Sequence, residues 1–233
     1  ERMDAAIARL AAGEPMAYVM GEWEFYGLNL VVTPDVLIPR DDTVAVAEVA
    51  INQALFLEEK PRILDLCTGS GCIAISIAKL KNVDVTAVDI SPKALEVARE
   101  NAKNLGASNV TFIESNLFEK IYEDSTSKNC NKYDIIVSNP PYIKSLDVED
   151  LMIEVKDHEP RLALDGDEDG LKFYRTITME AREFLKSGGY LIYEIGCDQG
   201  EDLRIIMEDN GFKEIEIIKD LAGLDRVCVG IKG

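Results

Sequence analysis

RILDLCTGSGCIAISIAKL, residues 62 to 80, is the stretch whose reading decides the fold. Its first five residues form a short run, apolar after Arg62 except for Asp65, that suits a buried strand, and its last nine, from Cys72, carry apolar side chains on every side, as a helix enclosed between layers would. Between them CTGSG places Gly69 and Gly71 where a strand must turn abruptly into a helix. The pattern repeats at once. VDVTAVDI (83–90) reads as a second strand, and the residues from Pro92 to Leu105 read as a second helix with Pro92 in its first turn. Strands alternating with helices specify a parallel sheet wound on both faces.

The alternation continues downstream. Residues 109–113 and YDIIVS (133–138) give a third and a fourth strand, with the polar, aperiodic EDSTSKNCNK (123–132) between them read as a surface loop. After an irregular acidic stretch come a helix near 173–185, the strand GYLIYEI (189–195), a helix over 199–210, and the strands FKEIEII (212–218) and RVCVGIK (226–232). The last two are joined through LAGLD (221–225), too short for a crossover helix, so the final strand is expected to enter antiparallel.

Upstream, Met3, Ile7, Leu10 and Ala11 fall at helical spacing with Gly13 as a stop. WEFYGLNLVV (23–32) suits a hairpin around Gly27, TPDVLIPR (33–40) an extended segment, and residues 42–57 a helix. The expected division is residues 1–43 (helix, hairpin and linker) followed by a larger domain over 44–233. The chain opens at Glu1 without an initiator methionine, which leads to the expectation that residues are missing upstream.

Composition narrows the function. The 233 residues hold 25 Lys and Arg against 43 Asp and Glu, a formal charge of -18 that disfavours an extended phosphate-binding surface. At 47 % hydrophobic residues the chain can form a core, while no apolar run approaches the roughly 20 residues of a membrane span. The cysteines (Cys67, Cys72, Cys130, Cys197, Cys228) are odd in number, include no CxxC pair and are accompanied by one histidine, His158, which reads as a loop residue. Neither a disulfide framework nor a zinc site is expected, and a cytoplasmic setting is.

Ligands of open α/β sheets collect at the carboxyl ends of the strands, where DLCTGSG lies. Gly69 and Gly71 permit close backbone approach, and the helix that follows offers unpaired N–H groups. With Ala74 the glycines also fit a dinucleotide fingerprint, so NAD, flavin and S-adenosylmethionine are all compatible. Asp89, 18 residues after Gly71, can accept from both hydroxyls of a ribose; the bland alternative is that Asp89 or Ser91 caps the next helix. The most informative tetrapeptide is Asn139-Pro140-Pro141-Tyr142, directly after YDIIVS. Two consecutive prolines stiffen the turn, and the Asn139 side-chain oxygen with the Pro140 carbonyl can accept both hydrogens of a planar NH2 group while Tyr142 packs on its carrier. The lone pair of such an amide or aromatic amine is delocalised. Acceptors that pull on its hydrogens favour a pyramidal nitrogen aimed at an electrophilic methyl.

These residues resemble the HemK/PrmC family, protein-(glutamine-N5) methyltransferases of peptide chain release factors, over nearly the whole chain. The matching segments are GEWEFYGLNLVV, VLIPR, DLCTGSGCIAI, AVDIS, SNPPY, EPRLALDG with EDGLKFY, GGYLIYEIG and GLDRVCVG. The resemblance implies a class I S-adenosylmethionine-dependent methyltransferase fold, Rossmann-like, with a mostly parallel seven-stranded sheet whose last strand is antiparallel, preceded by a small helix and β-hairpin left from a helical domain that engages the release factor. It also implies that Cys67, Thr68, Gly69, Ser70 and Gly71 wrap the methionine moiety, Asp89 the ribose, and Asn116 with Leu117 the adenine. Asn139, which also meets the cofactor, Pro140, Pro141 and Tyr142 would hold the substrate glutamine, with Arg40 near the cofactor mouth. The chain departs from the family in having Asp41-Asp42-Thr43-Val44 after IPR and Asn116 where aspartate is common. Asparagine accepts without charge assistance, so weaker cofactor binding than with aspartate is expected.

Methylation of a release-factor glutamine leads. A ribosomal-protein glutamine and N6-adenine of nucleic acid share the same NH2 geometry, although the charge of -18 disfavours direct nucleic-acid binding. A non-catalytic binding module is opposed by the intact Asn139. The runs LFLEEK, DVEDLMIEV and DGDEDG are expected to be solvated, Trp23, Phe25 and Tyr26 to pack the hairpin onto the core, and Cys67 and Cys72 to act as small apolar fillers.

Overall fold

The computed structural model describes residues 2–57, 60–80, 83–124 and 132–233. Most of the 123–132 loop, with Cys130, and two residues of LFLEEK lie outside the described residues. The elements are α1 (Arg2–Ala11), α2 (Met16–Met20), β1 (Glu22–Phe25), β2 (Leu28–Val31), α3 (Thr43–Phe56), β3 (Arg62–Leu66), α4 (Cys72–Leu80), β4 (Asp84–Asp89), α5 (Pro92–Leu105), β5 (Val110–Glu114) and α6 (Glu119–Asp124). There follow β6 (Tyr133–Ser138), α7 (Ser145–Val148), α8 (Ile153–Lys156), α9 (Lys172–Phe184), β7 (Leu185–Glu194), α10 (Gly200–Asp209), β8 (Phe212–Lys219) and β9 (Asp225–Lys232).

The main sheet has the order β5-β4-β3-β6-β7-β9-β8. Pairs from β5 through to β7 are parallel, and β9 is antiparallel to both β7 and β8. The reversal of the last strand is as expected; its insertion between β7 and β8 is the part the alternation left unspecified. Side-chain alternation sorts the strands between two cores. Ile63, Val85, Ile135 and Val137 meet α3 and α4 on one face, and Leu64, Leu66, Ile136, Leu191 and Tyr193 meet α9 and α10 on the other. Burial of this kind, at roughly 1.5–3 kcal/mol per large apolar side chain, supplies the driving force for the three layers.

Local signals set the element ends. Ser91 accepts the Ala94 N–H at 3.2 Å as the cap of α5, Pro92 occupies the first turn, and Gly106 (φ 68) closes the helix in the left-handed region. The β1–β2 hairpin turns through Tyr26 (φ 50) and Gly27 (φ 72), the two positive φ angles that a right-twisted two-residue turn requires. Leu30 and Phe25 enter the main core, and the side chain of Asn101 on α5 bonds both the N–H and the carbonyl of Val31 at 2.7 and 3.0 Å. The hairpin is thereby fixed to the sheet that carries the cleft.

Three expectations need correction. Trp23 remains 37 % exposed, whereas Phe25 is buried and Tyr26 packs against the core; β1 is an edge whose inner position is taken by Phe25. The DGDEDG run is not a freely solvated loop: Asp165, Asp167 and Asp169 pair with Arg161, Lys172 and Arg175, and its backbone docks on the segment after β6. The acidic stretch before it contains two one-turn helices, α7 and α8.

Candidate active site

A cleft of about 350 Å³ opens at the carboxyl ends of β3, β4, β5 and β6, within the usual range of ligand pockets. One wall is the turn from β3 into α4. Cys67 (φ 60), Gly69 (φ 54) and Gly71 (φ 82) all take left-handed backbone. At Gly71 a Cβ would also press on Ile75 and Ala98, so this position needs both the conformation and the missing side chain. The turn is tied to its neighbours: Thr68 N–H donates to the Val88 carbonyl at 3.0 Å, and Gly69 N–H to Asp89 Oδ2 at 2.8 Å.

Two carboxylates, one buried and one half-buried, organise this wall. Asp65, fully buried, accepts from the Thr68 hydroxyl at 2.5 Å; burial pushes its pKa up to about 7 against the opposing pull of Thr68. Asp89 accepts from Gly69 and, through Oδ1, from the Ser91 N–H at 2.9 Å, and burial likewise raises its pKa. Asp89 therefore shapes the turn as well as lining the cleft, and Ser91 rather than Asp89 caps α5. Burial pushes the Cys67 thiol far up and the Cys72 thiol to about 12, leaving both as protonated fillers at neutral pH.

Beyond β5, Ser115, Asn116 and Leu117 (φ 48) form the next part of the rim. The Asn116 Nδ2 donates to Glu119 Oε1 at 2.8 Å, which leaves its carbonyl oxygen as the acceptor available to a ligand. Val36, Ile73, Val88 and Ala94 supply apolar lining.

The opposite wall is the segment after β6. Asn139 and Pro141 line the cleft, and Asn139 donates through Nδ2 to Thr43 Oγ1 at 3.4 Å. Pro140 is buried. Tyr142 points its hydroxyl away to Glu194 Oε1 at 3.2 Å, and burial with the Glu194 charge raises its pKa. Gly71, Pro140 and Tyr142 thus support the cleft without lining it. The segment is clamped from behind. A Cβ on Gly166 would lie 2.8 Å from Tyr142 Cα, and one on Gly170 2.4 Å from the Tyr142 carbonyl oxygen. Gly166 N–H donates to the Ile143 carbonyl at 2.7 Å, and Gln199 Nε2 reaches the carbonyls of Tyr142 and Gly170 at 3.1 and 3.3 Å.

Other lining residues lie in or beside matching segments of the sequence but had no role of their own there. Asp35, Val36, Leu37, Pro39 and Thr43 come from the linker and the start of α3, while Pro160, Leu162 and Ala163 come from EPRLALDG. Arg40 does not line the cleft. It pairs with Glu159, whose other oxygen accepts the Ile38 N–H at 3.1 Å, and so locks linker to loop.

A mostly parallel sheet with a glycine turn after its first strand and Asn-Pro-Pro-Tyr after its fourth defines a methyltransferase domain, and a family model of that description matches residues 57–231. A methyltransferase of Pyrococcus furiosus has the same fold, with a TM-score of 0.60 at 21 % identity over 97 % of this chain and 98 % of that one. The release factor glutamine methyltransferase of Geobacter sulfurreducens is 44 % identical over 96 % of this chain and 75 % of its own length, and that of Fusobacterium nucleatum is 46 % identical over 97 % and 62 %. The chain belongs to the release factor glutamine methyltransferase family.

Proposed function

We propose that this chain transfers a methyl group from S-adenosylmethionine to the side-chain amide nitrogen of a glutamine in a peptide chain release factor. The observation that carries the reading is the placement of Asn139, its Nδ2 occupied by Thr43, in the same cleft as the glycine turn. Family membership supports the acceptor.

The residues present suit the cofactor. Ser70, a buried residue of the cleft lining, has a hydroxyl without a partner of hydrogen-bond geometry among the described residues, and the cleft is of ligand size. Cys67, Thr68, Gly69 and Ser70 would hold the methionine end on the turn that Gly71 shapes, Asp89 the ribose hydroxyls, and Asn116 and Leu117 the adenine. Bound there, the cofactor supplies an electrophilic methyl on a sulfonium. Asp89 in the lining favours a cation, and the apolar lining keeps water from competing as nucleophile.

Asn139, which lines the cleft, then acts on the acceptor amide, and the second N–H is assigned to the backbone carbonyl of Pro140, whose ring is buried in the wall. Each accepts one N–H, which restrains the nitrogen, weakens its conjugation with the carbonyl and directs its lone pair into the cleft. The nitrogen would gain a bond to the methyl carbon as the carbon–sulfur bond of the sulfonium breaks and leaves a neutral thioether, and the amide would release one N–H proton to solvent, so no side-chain nucleophile is required. The walls from 1–43, which contribute Asp35, Val36, Leu37 and Pro39, are assigned to acceptor binding. Replacing Asn139 with Ala is expected to leave S-adenosylmethionine affinity within a few-fold while kcat falls by roughly 100-fold or more. Calorimetry and turnover on the same preparations check this, and undiminished turnover removes Asn139 from its role.

A further inference from the structure

Residues 143–165 leave the body of the fold after Asn-Pro-Pro-Tyr and return to their point of departure. The Ile143 N–H donates to the Leu164 carbonyl at 3.0 Å, Ser145 Oγ donates to Asp165 Oδ1 at 2.6 Å, and Ile143 bridges Asp165. Connections of this length in a compact domain usually carry function. This one is tied from within: Val148 and Glu159 are buried, Arg161 pairs with Glu149 at 2.5 Å, and Lys156 Nζ donates to the Glu149 carbonyl at 3.1 Å. Its outer side chains are nevertheless apolar. Leu146 is 82 % exposed, Met152 70 %, Ile153 62 % and Leu162 56 %. The free charge among them is acidic. Asp147, Asp150, Glu154 and Asp157 are exposed without an ion pair among the described residues and outnumber the unpaired cations Lys144 and Lys156, while Arg161 is engaged by Glu149 and Asp165. Large apolar side chains gathered at one exposed place mark a surface that another molecule covers.

Position decides which molecule. Leu162 also lines the cleft beside Pro160 and Ala163, so the outer face runs directly into the cleft wall. A cleft of about 350 Å³ takes a cofactor and one side chain, and the rest of a protein acceptor has to lie across the rim. We propose that the outer face of residues 143–165 is the docking surface for the body of the acceptor protein, the folded part next to its reactive glutamine. The matching surface carries apolar side chains set among lysines or arginines, because this face is apolar in an acidic frame. A second copy of this chain would bring the same carboxylates together, which charge disfavours. The internal ties give the face its form before the acceptor arrives, so docking loses little to ordering. The inference rests on the functional reading above and adds to it where, outside the cleft, the acceptor is recognised.

The test separates the body of the acceptor from its reactive side chain. Methyl transfer is measured on an intact peptide chain release factor and on a short peptide spanning its modified glutamine. Leu146→Ser and Met152→Ser are each expected to raise KM for the intact protein by roughly three- to tenfold, and together by roughly 10- to 100-fold. The kcat, KM for the peptide and KM for S-adenosylmethionine should stay within about twofold. Ile153 is left in place because a Cβ on Gly13 would lie 3.3 Å from its Cγ2, at the end of α1. Phe56→Ser is the control: Phe56 is as exposed as Leu146 but lies at the far end of α3 from Thr43, and its loss should change neither KM. Added salt should raise KM for the intact protein, and less so in Asp150→Asn with Glu154→Gln. Calorimetry of the release factor against the chain, without turnover, should show the same loss of affinity in the Leu146 and Met152 variants. An equal loss on the peptide, a loss of self-association in place of a change in KM, or unchanged affinity for the release factor would each overturn the docking surface. If the parent protein methylates no glutamine, the functional reading falls, and the calorimetry still decides whether a release factor docks on this face.

Discussion

Gly170→Ala tests whether the loop behind the Asn-Pro-Pro-Tyr segment fixes the geometry of the reaction. The new Cβ would lie 2.4 Å from the Tyr142 carbonyl oxygen and 2.9 Å from Gln199 Nε2. Gln199 can swing aside, but the carbonyl belongs to the backbone two residues after Pro140. To reach ordinary contact, about 3.4 Å, it must recede by about 1 Å. A displacement of that size in a positioning segment costs on the order of 100-fold in rate. The left-handed φ of 74° at Gly170 adds about 1–2 kcal/mol of instability for a residue with a Cβ, and the crowding about 1–3 kcal/mol more. The matched control is Gly223→Ala, with a φ of 80° but open space around its Cβ, which should lose stability through φ alone and keep its turnover. Both variants are compared by thermal melting and by methyl transfer at saturating S-adenosylmethionine, at a temperature where each remains folded. If folded Gly170→Ala turns over within about threefold of the parent, the clamp does not set the catalytic geometry and the reasoning fails.

Asp65 makes stability pH-dependent. Its folded pKa of about 7 lies above the ordinary value of 3.8, so the stability it contributes is full below about pH 4 and is lost as pH rises through 7. Asp65→Asn should therefore gain on the parent as pH rises from 4 to 8, by up to about 4 kcal/mol, read from denaturant melts at both pH values; a pH-independent difference would contradict the assignment. The expectation that aspartate at 116 binds the cofactor more tightly is altered by the fold: Asn116→Asp alone should not tighten S-adenosylmethionine binding, because the new carboxylate would face Glu119 where Nδ2 now donates at 2.8 Å. Combined with Glu119→Gln it should tighten binding by roughly three- to tenfold through a charge-assisted bond, measured by calorimetry, and equal affinity of the double variant and the parent would refute this.

The readable parts of the sequence were those whose cause is local. α5, from Pro92 to Leu105, and β6, from Tyr133 to Ser138, have the expected bounds because a cap, a proline and a C-terminal glycine frame the first and polar neighbours the second. α2 was not legible: MAYVM is too short for a helical period, and its Tyr18 is held by a hydroxyl bond to the Val36 carbonyl, 18 residues away. α6, six residues long, was missed for the same reason of length. β7 begins at Leu185, ahead of the expected Gly189, because the register slips between Tyr133 and Ile135 and admits LKSG into the strand. At the site, the glycine turn, Asp89 and Asn139 carry recognisable spacing. Thr43, Glu194 and Gln199 do not, since their roles arise from contacts 52 to 96 residues apart along the chain. The glycines of DGDEDG are the instructive intermediate case. Their spacing was visible, but that Gly166 and Gly170 exist to let Tyr142 approach follows only from the fold.

The most direct test of the central claim is the position of the methyl group. The chain is incubated with S-adenosylmethionine labelled in its methyl and, in parallel, with a peptide chain release factor, a ribosomal-protein fraction and DNA, and the products are mapped by tandem mass spectrometry. The expected result is one labelled methyl on the side-chain nitrogen of a release-factor glutamine, lost with Asn139→Ala. Label confined to ribosomal protein or DNA, or carried by a residue without a side-chain NH2, would contradict it.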